Sequence, residues 1–198
     1  LKIHRRDENR TEQVARLIAA VYEKEKPDLV SVCTWPPLHE EMVVAAAKAG
    51  AKGIVCEKPM AVNLGQVDHM LEACEQSGTK LVISHQRRFN RRYVEAKEAL
   101  KRGEIGDLIE VFGNCGGDLL TDGTHNVDLI RFFVDDEPAE WVMGQVDYSK
   151  DHVRYGVPTA DHAFVSWQYE NGVHGIAATG DDVPLSGVLY PVSAQHPP

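Results

Sequence analysis

The chain is short of basic residues: 21 lysines and arginines stand against 30 aspartates and glutamates, for a formal charge of −9. Phosphate backbones demand a basic face, so this balance argues against broad contact with nucleic acid. Long apolar runs are missing as well. No stretch approaches the roughly 20 residues a membrane span needs, and the first residues, LKIHRRDENR, hold no signal-peptide core. Cysteine is sparse. Cys33, Cys56, Cys74 and Cys115 are scattered without CxxC spacing, which points to neither a zinc site nor a dithiol redox motif. Free thiols in a reducing cytoplasm are the plain reading. Finally, no G-x-G-x-x-G turn occurs among the 16 glycines.

What is present suits a folded chain. At 198 residues and 43% hydrophobic content, one good core or two small ones can form. Residues 9–24 carry Val14, Leu17, Ile18 and Val21 at helical spacing, which predicts an amphipathic helix ended by Pro27-Asp28. LVSVCT (29–34) is a short apolar run read as a buried strand, and GIVCE (53–57) and KLVISH (80–85) read as a second and a third strand. HEEMVVAAAKAG (39–50), VNLGQVDHMLEACEQSG (62–78) and RRYVEAKEALKRG (91–103) read as helices, each closed by a glycine. Strands and helices alternating through short connections predict right-handed crossovers and a parallel sheet.

The pattern then changes. A strand at 107–115, a helix at 124–133 and strands at 139–149, 162–170 and 173–180 predict an α+β region with a largely antiparallel sheet. Its last two strands are joined through Glu170-Asn171-Gly172, a strong hairpin signal. Two domains are expected, 1–86 and 87–198. The tail from Val183 to Pro198 holds four prolines and no periodicity, and is expected to wander or be disordered.

Several groups could carry chemistry. Glu57-Lys58-Pro59 follows a predicted parallel strand, at the edge where open α/β sheets bind ligands. Proline keeps Lys58 extended there. Lys58 is either a cation facing a ligand or a surface lysine in a turn. His125 falls in the first turn of the helix at 124–133, behind a cap from Asp122 or Thr124, with Asp128 one turn on. It is either a proton-transfer group or an incidental histidine beside a cap. Arg87 and Arg88 can bind hydroxyls or phosphate at a strand end, or form a basic surface turn. His39, after Pro36-Pro37, either neighbours a helix cap or lines a cofactor groove. His85 reads as structural, and Trp141, Trp167 and Tyr169 as core or interface.

Read in order, the segments form a longer pattern. It runs through PDLVSV (27–32), TWPPLH (34–39), AAKAG (46–50) and Glu57-Lys58-Pro59. It continues through HQRRFN (85–90), GEIG (103–106), GTHNVD (123–128), DHA (161–163) and ENGV (170–173). Over about residues 27–180 the chain resembles the glucose–fructose oxidoreductase, inositol dehydrogenase and MocA (Gfo/Idh/MocA) family. The resemblance implies an α/β fold: a partial Rossmann-type parallel sheet in 1–86, then a truncated substrate and oligomerisation domain in 87–198. It implies an oxidoreductase that uses NAD or NADP on a sugar, cyclitol or related polyol, without a metal, as a homo-oligomer.

By the same resemblance Lys58, His125 and Asp122 are catalytic, with Asp122 or Asp128 orienting the His125 ring, and the lysine and histidine converge on one site. Thr34, Trp35, Pro36, His39, Glu57, Lys58, Pro59 and Gln86 would meet the cofactor, and Arg88 and Asp128 the substrate. The chain departs from the pattern in three places. It has no glycine loop for the pyrophosphate. Thr121 stands where many relatives carry an aspartate four residues before the histidine, with Asp122 one residue later. Trp35 replaces a common proline. The first Rossmann strands are therefore expected to be absent, the second sheet cut short and cofactor binding weakened. A non-catalytic remnant kept for assembly or polyol binding, and a Schiff-base lyase using Lys58, are the alternatives.

Overall fold

The structure is a computed structural model that describes residues 8–181 and 189–194. It begins with helix α1 (Glu8–Glu25). Three strands joined by two helices follow: β1 (Leu29–Val32), α2 (His39–Lys48), β2 (Gly53–Cys56), α3 (Leu64–Ser77) and β3 (Lys80–Ile83). The strands lie side by side in the order β1-β2-β3, all parallel, with Leu29 opposite Gly53 and Gly53 opposite Lys80. This is the arrangement expected from the sequence, and its cause is the crossover helix in each connection. Local chemistry marks the ends. The Asn63 side chain accepts from the Gln66 amide at the start of α3, and Gly78 closes the helix at φ 72°, a left-handed position that suits glycine.

The strands are buried on one face only. Val30, Val32, Ile54 and Cys56 pack against Met42, Val43, Ala46, Ala47, Met70 and Cys74 of α2 and α3. Leu29, Ser31, Val55 and Val82 on the other face are exposed. That corrects the reading of 29–34 as a buried strand: a short apolar run does not say whether one face or two are covered. In α1 the stripe that meets this core is Ile18 and Tyr22, while Leu17 and Val21 are exposed. Periodicity established a stripe without fixing which edge of it faces inward.

Helix α4 (Arg91–Lys101) leads into β4 (Asp107–Cys115), a single π turn (Leu119–Gly123) and α5 (Thr124–Phe133). Strands β5 (Ala139–Asp147), β6 (Val153–Arg154), β7 (Val157–Pro158), β8 (His162–Tyr169), β9 (His174–Gly180) and β10 (Leu189–Ala194) follow. A five-stranded sheet forms in the order β10-β4-β9-β8-β5, with β6 and β7 as a separate small hairpin. Three of its four pairings are antiparallel, and β4 with β9 is parallel. Helix α5 covers one face through Leu129, Ile130 and Phe133, which meet Val111, Trp167, Tyr169 and Ala177.

The tail is partly a strand, contrary to expectation. Strand β10 pairs with β4, placing Pro191 opposite Val111. Proline lacks the ladder donor and is tolerated at an outer edge, which is where β10 runs. The remaining tail residues, 182–188 and 195–198, lie outside the described residues.

The chain divides into two compact units, Leu1–Ser84 and His85–Pro198. Among the described residues no helix is long and apolar enough to cross a membrane.

The second core holds one close approach that tests the packing. Gly175 on β9 lies opposite Trp167, and a Cβ there would come within 2.3 Å of the indole ring. Gly175→Ala should therefore lower stability by about 1–3 kcal/mol, read as a lower urea midpoint. An unchanged midpoint would mean that the indole is free to move.

Candidate functional site

In the first unit, parallel pairing brings three strand ends to one edge. The Glu57 amide donates to the Val32 carbonyl at 2.9 Å, and the Ser84 amide to Cys56 at 2.8 Å, so pairing runs to the last residue of each strand. The chain then turns away at Thr34, at Glu57-Lys58-Pro59 and at Ser84. After β1 a 3-10 turn, Pro36–Leu38, leads into α2. Pro36 is buried, whereas Trp35 is 63% exposed. After β2 Lys58 is half-buried, and its peptide bond to Pro59 is cis. The Glu57 carboxylate accepts from the Lys58 amide at 3.3 Å.

His39, the first residue of α2, is fully buried. Its Nδ1 lies 3.0 Å from the Pro59 carbonyl and 3.3 Å from that of Met60, and its Nε2 lies 3.0 Å from the Thr34 carbonyl. The Thr34 hydroxyl, also at this edge, is buried with no hydrogen-bond partner among the described residues. Burial, aided by the nearby Glu57 charge, pushes the Cys56 thiol up to about 12, so it is no nucleophile at neutral pH.

In the second unit, a 3-10 turn over Gln86–Phe89 and the start of α5 form the candidate site. A cavity of about 310 Å³ is lined by His85, Leu119, Leu120, Thr124, Val127, Asp128 and Arg131. The Thr124 hydroxyl is buried and has no hydrogen-bond partner among the described residues. His125 is 4% exposed. Its ring meets that of His85 edge-on, with centroids 5.7 Å apart. His85 Nδ1 in turn lies 3.9 Å from the Asp128 carboxylate.

Arg88 and Asp128, both expected at the substrate, are joined to each other. Arg88 Nε donates to both Asp128 oxygens at 2.9 and 2.8 Å, and the two Nη groups donate to Asp136 at 2.7 and 2.8 Å. The same guanidinium lies over the Phe132 ring. Asp122 is about half exposed and lies 3.7 Å from Arg87. Gln86 is exposed.

The cap at α5 differs from the one read in the sequence. Neither Asp122 nor Thr124 performs it: Gly123 precedes α5 and no side chain caps that helix, while Asp118, which was missed, caps the π turn that leads into it. Its carboxylate is 1% exposed and accepts from the Thr121 amide at 2.9 Å, from the Thr121 hydroxyl, and from Arg154 Nε at 2.9 Å. A side-chain oxygen meeting an amide three residues on is a recognisable cap spacing, so Asp118-x-x-Thr121 was a usable signal. Nothing local announced Arg154, which arrives from the β6–β7 hairpin. Burial raises the Asp118 pKa, but the Thr121 and Arg154 hydrogen bonds outweigh it and hold the carboxyl below the usual carboxylate range. The Arg88 hydrogen bond does the same for Asp136.

A parallel sheet with its loops gathered at the carboxyl edge, followed by a helix-covered mixed sheet, defines an α/β protein with a Rossmann-type nucleotide-binding fold. Residues 3–85 match the family GFO_IDH_MocA, described as an oxidoreductase family with an NAD-binding Rossmann fold. The match begins well before Pro27, where the motif resemblance starts.

The chain is 31% identical over 167 residues to myo-inositol 2-dehydrogenase of Thermotoga maritima, covering 75% of this chain and 48% of that one. It is 33% identical over 134 residues to 1,5-anhydro-D-fructose reductase of Ensifer adhaerens, covering 58% and 40%. An inositol dehydrogenase homolog from Azotobacter vinelandii, solved with NADH and myo-inositol, superposes with a TM-score of 0.71 at 19% identity. It covers 84% of this chain and 48% of that one, a likeness of fold. The protein belongs to the Gfo/Idh/MocA oxidoreductase family. It spans about half the length of the curated relatives it matches.

Asp118 and Asp136, both lowered, contribute to an acid limit. A folded-state pKa below the unfolded value of about 3.9 gives stability that is present above that value and lost as pH falls through the folded one. Urea midpoints should therefore decline as pH drops below about 4. Asp118→Asn and Asp136→Asn should each lower the midpoint at pH 7 and flatten the acid decline. Parallel declines in wild type and variants would show that these carboxyls do not set it.

Proposed function

We propose that this chain serves an NAD- or NADP-dependent oxidoreductase that moves a hydride between the nicotinamide and a carbon of a polyol, with inositol-like cyclitols and sugars as the substrate class. The observation that carries this reading is Glu57-Lys58-Pro59 at the carboxyl edge of a parallel sheet in a chain of this family. The residues present also suit a dinucleotide. Thr34 offers a buried hydroxyl in need of a partner, and Trp35 an exposed aromatic face. Thr124 offers a second such hydroxyl inside the cavity beside α5, where a polyol oxygen would satisfy it. The names of the relatives, an inositol and an anhydrofructose enzyme, support the substrate class.

A bound nicotinamide supplies the hydride acceptor. The rest falls to the protein. His125 takes the hydroxyl proton as general base, its ring set by contact with His85. Lys58 stabilises the developing alkoxide. Asp128, fixed by Arg88, lies 3.9 Å from His85, and Asp122 is the other carboxylate offered to orient the His125 ring. Lacking a G-x-G-x-x-G turn, the chain binds the pyrophosphate weakly, since that turn is what presents backbone N–H groups to phosphate. Free thiols suit a cytoplasmic setting.

The chain associates with copies of itself through the sheet face opposite α5. Phe164 and Met143 are exposed there and Ser166 and Gln168 half-buried, while Trp167 and Tyr169 point into the core. Light scattering at micromolar concentration should give a mass above 22.0 kDa; a monomer would rule this out.

Nicotinamide absorbance with myo-inositol and either cofactor tests the activity. His125→Ala should cut turnover roughly 10²–10⁴-fold, and Lys58→Ala at least as much. The double variant should fall well short of the product of the two losses, because both groups serve one transition state. Turnover untouched by His125→Ala would remove it as the base. Nicotinamide binding without oxidation of any polyol would favour the non-catalytic alternative.

A further inference from the structure

His39 has been placed by its geometry and not by its expected role. Its ring is sealed from solvent, and each nitrogen faces main-chain oxygen: Thr34 on one side, Pro59 and Met60 on the other. Thr34 ends the exit from β1. Pro59 and Met60 belong to the exit from β2 and directly follow Lys58. The ladder between the two strands ends at the bond from the Glu57 amide to Val32. Beyond it neither loop can pair with the other, since both chains turn away. The imidazole spans that gap. It is anchored in turn, because the 3-10 turn Pro36–Leu38 feeds directly into α2, where Met42 and Val43 pack in the core.

We infer that His39 is a positioning residue. It ties the β1 exit to the β2 exit and thereby sets the place of the Lys58 side chain and the Thr34 hydroxyl, without itself touching cofactor or substrate. The inference rests on the reading of Lys58 given above. Carbonyls accept and cannot donate, so the group between them must be a donor of the right length. Leucine or phenylalanine would fill the space but leave buried carbonyls bare, at a cost of about 1–3 kcal/mol each. Asparagine is too short to span both sides, and glutamine has its one donor nitrogen at the end of a flexible chain, whereas the rigid ring sets a nitrogen against each side, both of them donors when both carry protons.

Two independent measurements test this. The first is amide hydrogen exchange, which needs no activity. In His39→Gln the amides of Thr34 and Trp35, and those of Lys58, Met60 and Ala61, should exchange roughly tenfold faster or more, as expected for the loss of about one hydrogen bond. Amides within β1, β2 and α3 should keep wild-type rates, which also shows that the variant is folded. Unchanged exchange in either loop overturns the tie, whatever the activity.

The second measurement separates positioning from mere support. His39→Gly leaves a ring-sized space, and free imidazole added to it should restore slow exchange in both loops together. In a wild-type protein that turns over, kcat should fall in His39→Gln and recover with imidazole in His39→Gly, while KM for the polyol stays within about twofold, because the substrate cavity beside α5 is built from other residues. Loosened loops with unaltered kcat overturn the positioning role and leave Lys58 untouched. A wild type with no oxidoreductase activity sinks the proposed function instead, and the exchange result still decides whether His39 ties the loops.

Discussion

Arg88 binds two carboxylates at once, and the second unit's cavity depends on that grip. Asp128 comes from the middle of α5 and Asp136 from the turn that follows it, so one guanidinium fixes the helix at two points. The planar fork suits this task, since Nε and both Nη groups present donors in fixed directions. Asp128 is nearly buried, and a carboxylate there without its partner would be costly. Once Asp128 is held, it faces His85, and the His85 ring meets His125. A residue expected to bind substrate thus stands at the start of a run of neighbours that ends at the proposed base.

The first unit solves a related problem by different means. Parallel strands end in loops that have no further pairing partner, yet those loops carry the chemistry. Helix α2 returns a single imidazole to the gap, where it meets three carbonyls that the sheet leaves unpaired. The two units share a logic in which charged or polar side chains just outside the regular elements hold functional groups steady. Asp118 belongs to the same set, since it joins the π turn before α5 to the β6–β7 hairpin.

Much of the fold was legible because local patterns were strong. The alternation of apolar runs with helical segments led to three parallel strands, and α5 begins and ends at the residues expected. The misreadings share one cause, that a local pattern does not name its partner. Strand β10 looked like proline-rich tail because its pairing with β4 lies some 80 positions away in sequence. The parallel pairing of β4 with β9 had no sequence signal either. At the site, Arg88 and Asp128 were legible as functional types, but not as each other's partners.

The sequence by itself determined the family, the order of strands and helices through α5, and which residue types stand at strand ends and helix starts. These follow from side-chain periodicity, from proline and glycine as chain breakers, and from motifs such as Glu57-Lys58-Pro59 and Gly123-Thr124-His125, all of them local. Only the tertiary structure decided that His39 faces two loops, that Arg88 is consumed by Asp128 and Asp136, and that Asp118 caps the π turn before α5 while Asp122 caps nothing. Each of these is a choice among several chemically suitable partners. Hydrogen-bond strength depends on a few tenths of an ångström and on burial, and neither exists until distant segments have packed.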